Sequence, residues 1–214
     1  MKAIAITDHG NLCGAKEFCN EAKNHSIKPI IGCEVYLARR KRSDTITKED
    51  RGGYHLILLA KNKTGYLNLV KLVSLGYIEG HYYKPRIDKD ILKEHHEGLI
   101  AATAGLGGDI PSQILSDNDS DLDESLAFYM DTFGEDFYLE LQRHQSGDAE
   151  MDEEVYKDQV FVNSKLIQLG KETDTQLIAT NDVHFINEED AEAHDRLLCI
   201  STASDIDDPK RMRY

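Results

Sequence analysis

The chain has 214 residues, with 25 Lys and Arg against 39 Asp and Glu, a net charge of −14 and 40% hydrophobic residues. These values are typical of a folded globular protein, and they argue against a domain held to nucleic acid mainly by bulk charge, because phosphate repels an acidic surface. No apolar run approaches the ~20 residues needed to cross a membrane, and the four cysteines have neither zinc-ribbon nor disulfide-scaffold spacing. The sequence therefore predicts a cytoplasmic protein without a membrane contact.

Short apolar runs alternate with stretches of helical period. The predicted strands are Lys2–Thr7, Pro29–Cys33 continuing into VYLA, His55–Ala60, Leu99–Ala104, Phe137–Leu141 and Gln176–Thr180. Most are apolar on both alternations, which is typical of strands covered on both faces. Helical spacing recurs at Leu12–Ala22 and Val155–Leu169, and Asp121–Glu124 forms a capping box before a further helix. The alternation predicts a parallel α/β architecture, either a barrel or an open sheet.

No linker or internal repeat divides the chain, so we expect residues 1–214 to form one domain. Polar stretches at Arg39–Gly53, Ser116–Ser120 and Gln145–Glu154 are predicted to be loops. The first predicted strand begins at once, and a buried strand normally has a neighbour on each side. We therefore expect the chain to be a piece of a longer protein.

Residues that bind metal ions follow the ends of most predicted strands. They are Asp8 with His9, Glu34, His144, and Asp182 with His184, whereas His55 opens its own strand. Because the carboxyl ends of parallel strands meet at one face, we expect these side chains to converge. Imidazole and carboxylate ligands suit Zn²⁺, Mn²⁺ or Fe²⁺, and clustered divalent ions suit the hydrolysis of phosphate esters.

Structural interpretations stay open beside this one. A single His next to a strand is more often a surface residue or a hydrogen-bonded core residue. Asp8 and Asp182 can instead cap the helices that follow, a role compatible with orienting a metal ligand. The cysteines are expected to pack in apolar surroundings.

The basic segments also allow two interpretations. Arg39–Arg42 suits a solvated loop or a contact with nucleic acid. Tyr82–Arg86 suits base stacking with a phosphate clamp, or a packed turn. Arg86 and Arg143 are the candidates for a phosphate contact.

Six segments together resemble one family. They are AITDHGNLCGAKEF, KPIIGCEVYLA, YHLILLAKNKTGYLNLVKLVSLGYIEGHYYKPRID, FGEDFYLELQRH, ATNDVHF and EDAEAHDRLLCI. The chain is similar over its whole length to the polymerase-and-histidinol-phosphatase (PHP) domain, in the branch at the N-terminus of bacterial DNA polymerase III alpha subunits. GYLNLVKL and AEAHDRLLCI favour that branch over free-standing PHP phosphoesterases.

The resemblance implies a distorted (βα)₇ TIM-like barrel, here without its first strand and helix, with up to three divalent metal ions at the strand ends. Some polymerase PHP domains are metal-dependent 3′–5′ proofreading exonucleases, and others are structural platforms. The metal positions that it implies are His9, Glu34, His55, Asp182 and His184, with Asp8 and His144 as further candidates. Asp8 and Asp182 are the candidates for a catalytic role.

Two departures from the family pattern favour the structural role. The family's first His-x-His motif would precede residue 1, and Gly105 stands where the family usually has a Cys or His. Each implied metal position is therefore short of ligands, and the resemblance predicts an interaction module with a partial metal site. The alternative is an active metal-dependent phosphoesterase or exonuclease. An amidohydrolase-type enzyme is a weaker hypothesis, because no suitable bridging Lys stands at a strand end.

The same resemblance implies partners. They are the rest of the polymerase alpha chain, a proofreading exonuclease subunit, and primer–template DNA bound by the parent chain. Polymerisation with Mg²⁺ is expected in domains beyond residue 214.

Overall fold

This computed structural model describes residues 1–145, 152–208 and 211–212, so part of the predicted loop Gln145–Glu154 lies outside the described residues. The chain divides into two compact units, Met1–Thr180 and Asn181–Tyr214. Of the helices in the described residues, none combines the length and apolar character needed to span a membrane.

The first unit holds a sheet and its covering helices. Its strands are β1 Ala3–Ile6, β2 Lys28–Leu37, β3 Tyr54–Ala60, β4 His81–Tyr82, β5 Lys84–Ile87, β6 Leu99–Ala102, β7 Phe137–Gln142 and β8 Gln176–Thr180. Its α-helices are α1 Ala15–Asn24, α2 Lys63–Ile78, α3 Lys89–Glu94, α4 Asp109–Leu115, α5 Asp119–Phe133 and α6 Lys157–Thr173. Single turns of 3₁₀-helix lie at Lys48–Arg51 and Gly134–Asp136, and a π-turn lies at Asp152–Tyr156. The second unit contains α7, Asp190–Thr202.

All six predicted strands are confirmed in position, and the prediction of an entirely parallel sheet is wrong. The strands pair in the order β4-β5-β2-β3-β6-β7-β8, with β1 parallel to the first half of β2. The pairs β2/β5, β6/β7 and β7/β8 are parallel, whereas β3 is antiparallel to both β2 and β6. The loop Arg39–Gly53 contains only one 3₁₀ turn. Without a crossover helix, the chain returns beside β2 in the opposite direction, and the α/β fold is mixed.

The two faces of the central strands differ in polarity. One face packs under the helices, and its side chains are at most 2% exposed at Cys33, Val35, Leu37, Leu56, Leu58, Leu99, Ala101, Phe137 and Leu139. The strand register places the alternate residues on the opposite face, here called the polar face because it carries Glu34, Tyr36, His55, Tyr138, Glu140, Gln142 and Thr180 beside the apolar Ile57, Leu59, Ile100, Ala102 and Ile178. Strands β1 and β8 are largely exposed, so the expected cover on both faces does not hold for them.

Helix α5 begins earlier than its predicted cap. Asn118 is the N-cap, and its side-chain oxygen accepts a hydrogen bond from the main-chain N–H of Asp121. The prediction that Asp121–Glu124 caps this helix is therefore wrong, because Asp121 already lies in the first turn. Asn118 supplies the side-chain oxygen that such an N-cap needs.

Candidate metal centre

Three predicted ligands converge at one edge of the sheet: His9, Glu34 and His55. His9 follows β1 and forms a parallel bridge with Glu34 of β2. In the next strand, His55 pairs with Tyr36, two residues beyond Glu34, so both side chains lie on the polar face. Because β3 runs antiparallel to β2, its first residues lie where β1 and β2 end. His55 therefore reaches the site although it opens its strand.

The ligand atoms of these residues fit a single divalent ion. One atom from each residue lies within 4.8 Å of the other two. Nδ1 of His55 is 2.7 Å from Oε1 of Glu34, and Nδ1 of His9 is 3.7 Å from Oε2. Metal–ligand bonds of about 2.0–2.2 Å place two ligands of one ion about 3–4.3 Å apart, so small side-chain adjustments suffice. The Glu34 side chain is 9% exposed, while those of His9 and His55 are 36% and 32% exposed, so solvent reaches the imidazoles.

Packing orients the two imidazoles. Tyr36 stacks on His9 with ring centroids 6.0 Å apart, and it meets His55 edge-on at 5.3 Å. Gly10 lies against this aromatic group and has a φ of +66°. A Cβ at this position would lie 2.9 Å from Cγ of Pro85 and 3.2 Å from the Tyr36 ring. Glycine is the residue that meets both demands, since it adopts positive φ freely and has no Cβ.

Asp8 and His144 are placed differently from the three ligands. The main-chain oxygen of Asp8 accepts hydrogen bonds from the N–H of Glu34 and from the thiol of Cys33. Burial raises the pKa of Cys33 to about 12, so this thiol stays protonated and packs, as the sequence predicts. His144 follows β7, with Nδ1 2.9 Å from Nε2 of Gln159. Within the part of the chain that the structure describes, the three-residue ligand group includes neither Asp8 nor His144.

Asp182 and His184 belong to the second unit. Nδ1 of His184 lies 2.8 Å from the main-chain oxygen of Asp182 and 3.9 Å from its Oδ1. The imidazole of His194 lies with its centroid 5.8 Å from that of His184. Asp182 itself adopts a φ of +45°, which is rare outside glycine. Their joining the three-residue cluster stays a prediction.

The two arginine candidates differ in burial. Arg86 is 1% exposed, and its guanidinium donates to the main-chain oxygens of Gly80, Asp50 and Arg42. A phosphate contact would require this side chain to leave those oxygens, which favours the packed interpretation of Tyr82–Arg86, a segment that lies in the antiparallel pair β4/β5. A phosphate contact of Arg86 stays a prediction. Arg143 is exposed, and it donates from Nε and Nη2 to the hydroxyl of Tyr156 at 3.0 Å and 2.6 Å.

Glu140 and Gln142 of β7 are buried polar residues that the sequence analysis missed. They are 4% and 7% exposed, and Nε2 of Gln142 donates to Oε1 of Glu140 at 3.3 Å. The same carboxylate accepts from the N–H of Ala104 and from the hydroxyl of Thr180. Burial raises the pKa of Glu140, and the charge of Glu34 acts in the same direction. The sequence feature that indicates these buried polar residues is the alternation in FYLELQ, whose second, fourth and sixth residues are polar or amphipathic.

Known proteins resemble this chain in sequence. The profile of the family described as "PHP domain" matches residues 1–144. The DNA polymerase III subunit alpha of Borreliella burgdorferi is 48% identical over 100% of this chain, and that of Thermus aquaticus is 43% identical over 99%. The chain spans only 18% and 17% of the lengths of these relatives. A crystal structure described as that of a metal-dependent phosphoesterase from Bifidobacterium adolescentis has a TM-score of 0.47 and 12% identity, covering 86% of this chain and 78% of that one.

Proposed function

Because the chain belongs to the PHP-domain family, we propose that it is the PHP domain of a DNA polymerase III alpha subunit, acting as a structural and interaction module with a partial metal site. The identity of 48% to a polymerase subunit over the whole chain supports this assignment. The site supports a retained but incomplete metal function, because it supplies three protein ligands.

The observation that carries the metal site is the set of donor atoms of His9, Glu34 and His55 within 4.8 Å of one another. Two imidazoles and one carboxylate suit Zn²⁺, Mn²⁺ or Fe²⁺. A divalent ion, when bound, supplies a Lewis acid that lowers the pKa of water and neutralises phosphoryl charge. The buried Glu34 provides the negative charge, and the two partly exposed imidazoles leave a path from solvent for a phosphate oxygen.

Further parts of the site belong to the same proposal. Asp182 and His184 are proposed as further metal ligands, as are Asp8 and His144, and Arg143 would contact phosphate. The mixed sheet would form part of a distorted (βα)₇ barrel, and residues 1–214 would act as one PHP domain.

The parent protein would carry the polymerase activity. Its remaining domains would use Mg²⁺ for DNA synthesis on a primer–template, and the module would contact the rest of the alpha chain and a proofreading exonuclease subunit in the cytoplasm. The relatives' names and the small fraction of their length that this chain spans support this part of the proposal.

The second candidate function is a metal-dependent phosphoesterase or 3′–5′ exonuclease. The solvent access of His9 and His55 favours it, because a substrate phosphate can approach the ligands. The ligand count disfavours hydrolysis by clustered ions, since the three residues supply the donors of one ion only. The module interpretation predicts little hydrolysis of a model phosphodiester with Mn²⁺. Robust turnover that disappears in His184→Ala would establish the enzyme instead.

Titration calorimetry with Mn²⁺ tests the metal site. The parent chain is expected to bind the ion, and His55→Ala is expected to bind at least about tenfold more weakly. His25→Ala is the matched control, because the side chain of His25 is 72% exposed and pairs only with Glu21 of the same helix among the described residues. Equal affinities of the two variants would contradict the site.

A further inference from the structure

The turn that follows β6 has a strained residue at its centre. Ala104 is 1% exposed and adopts a φ of +59°, in the left-handed region that residues with a Cβ rarely occupy. Such a conformation persists where the surrounding structure holds it. The main-chain N–H of Ala104 donates to Oε2 of Glu140 at 3.1 Å, so a buried carboxylate holds the strained residue.

Strand β7 forms three hydrogen bonds with this turn. The N–H of Glu140 donates to Oγ1 of Thr103 at 2.8 Å, and the N–H of Thr103 donates to the main-chain oxygen of Tyr138 at 3.2 Å. The Glu140 carboxylate then bonds the next residue, Ala104. Glu140 thus binds the turn with both its main chain and its side chain.

Beyond the turn, the chain runs against His55. The N–H of His55 donates to the main-chain oxygen of Gly107 at 2.9 Å, and His55 forms a parallel bridge with Gly108. A Cβ at Gly107 would lie 3.4 Å from Nδ1 of His55, which is van der Waals contact with the ring. Gly107 and Gly108 therefore lie directly beside His55.

Gln142 of β7 lies next to Gly105, the first residue of the loop 105–108. A Cβ on Gly105 would lie 2.3 Å from Oε1 of Gln142, and Gln142 is itself bonded to Glu140. The amide and a side chain at position 105 therefore compete for the same space. The missing Cβ of Gly105 thus permits the close approach of this loop to Gln142.

We infer that Glu140 is a positioning residue for the metal centre: its carboxylate holds Ala104 in the conformation that brings Gly107 and Gly108 beside His55. Glu140 acts through this loop and not as a ligand. This inference rests on the proposed metal function, and it assigns to Glu140 the positioning of His55 as a metal ligand.

Three variants separate positioning from general stability. Glu140→Met removes the acceptor of the Ala104 N–H, and Glu140→Gln retains one oxygen for it. Ala104→Gly, added to Glu140→Met, allows the positive φ without support. We expect Glu140→Met to weaken Mn²⁺ binding in calorimetry by about tenfold or more, Glu140→Gln to stay within about threefold of the parent, and the added glycine to recover part of the loss. Mn²⁺ binding by folded Glu140→Met that equals the parent's would overturn the inference.

NMR of the metal-free chain tests the positioning role of Glu140 independently of metal binding. In the metal-free chain, NMR should show shifted His55 ring resonances and faster hydrogen exchange of the Ala104 amide in Glu140→Met, and neither change in Glu140→Gln. If the parent fails to bind Mn²⁺ while these changes occur, the metal function fails and the positioning role stands. Unchanged His55 resonances in folded Glu140→Met would overturn the positioning role, whatever the metal result.

Discussion

The buried guanidinium of Arg86 gives a stability prediction that can be worked from its contacts. Arg86→Met keeps most of the apolar stem and removes three hydrogen bonds to main-chain oxygens. A hydrogen bond from a charged donor contributes about 1.5 kcal/mol, so the three contribute about 4.5 kcal/mol. The cost of burying the guanidinium, which Met does not incur, offsets part of this sum. A loss of about 2–4 kcal/mol remains.

Urea unfolding followed by circular dichroism measures this loss. For a chain of this size, the same loss lowers the Tm by about 4–16 °C. Arg143→Met is the matched control, since Arg143 is exposed and bonds only the hydroxyl of Tyr156 among the described residues. We expect the control to stay within about 0.5 kcal/mol of the parent. Equal stability of the two variants would refute the argument that the Arg86 guanidinium holds together the loops it bridges.

Three further predictions concern the core and two titrating groups. Leu58→Ala should cost about 2–5 kcal/mol in urea unfolding, and Leu67→Ala should cost far less, because these leucines are 0% and 56% exposed. The main-chain N–H of Thr47 helps to hold the pKa of Asp50 at about 2, below its unfolded value. Asp50 therefore stabilises the fold above pH ~4, and the Tm difference between the parent and Asp50→Asn should shrink as the pH falls from about 5 to 2; a constant difference would contradict this. Iodoacetamide at pH 8 should label the exposed Cys13 and spare Cys33 in the folded chain, as read by mass spectrometry, and rapid labelling of Cys33 would show that its thiol is accessible.

The sequence was sufficient to place six of the eight strands and the three residues of the cluster, because both depend on local patterns, whereas the short strands β4 and β5 were not predicted. Apolar runs indicated the strands. His9 and Glu34 were candidates because each lies just after such a run. His55 fitted the parallel scheme poorly, since only the antiparallel direction of β3 brings its first residue to the site. That direction depends on how the loop Arg39–Gly53 folds, and the spacing of residues in the sequence does not predict it.

The remaining differences arise from tertiary contacts. Arg86 looked available in sequence, yet loops distant in the chain enclose it with their main-chain oxygens. Glu140 lies inside the predicted strand Phe137–Leu141, and Gln142 lies directly after it, so neither was singled out. Their role depends on the backbone of Ala104, whose positive φ cannot be inferred from an alanine in the sequence. The contribution of Asp182 to a metal site stays a prediction.

The most direct test of the central claim is the metal content of the chain, purified without chelators or a metal-affinity column and measured by elemental analysis. The cluster of His9, Glu34 and His55 predicts about one Zn, Mn or Fe ion per chain, lost in Glu34→Ala and retained in His25→Ala. Less than about half an ion per chain, unchanged by Glu34→Ala, would contradict the claim that these three side chains form a metal centre.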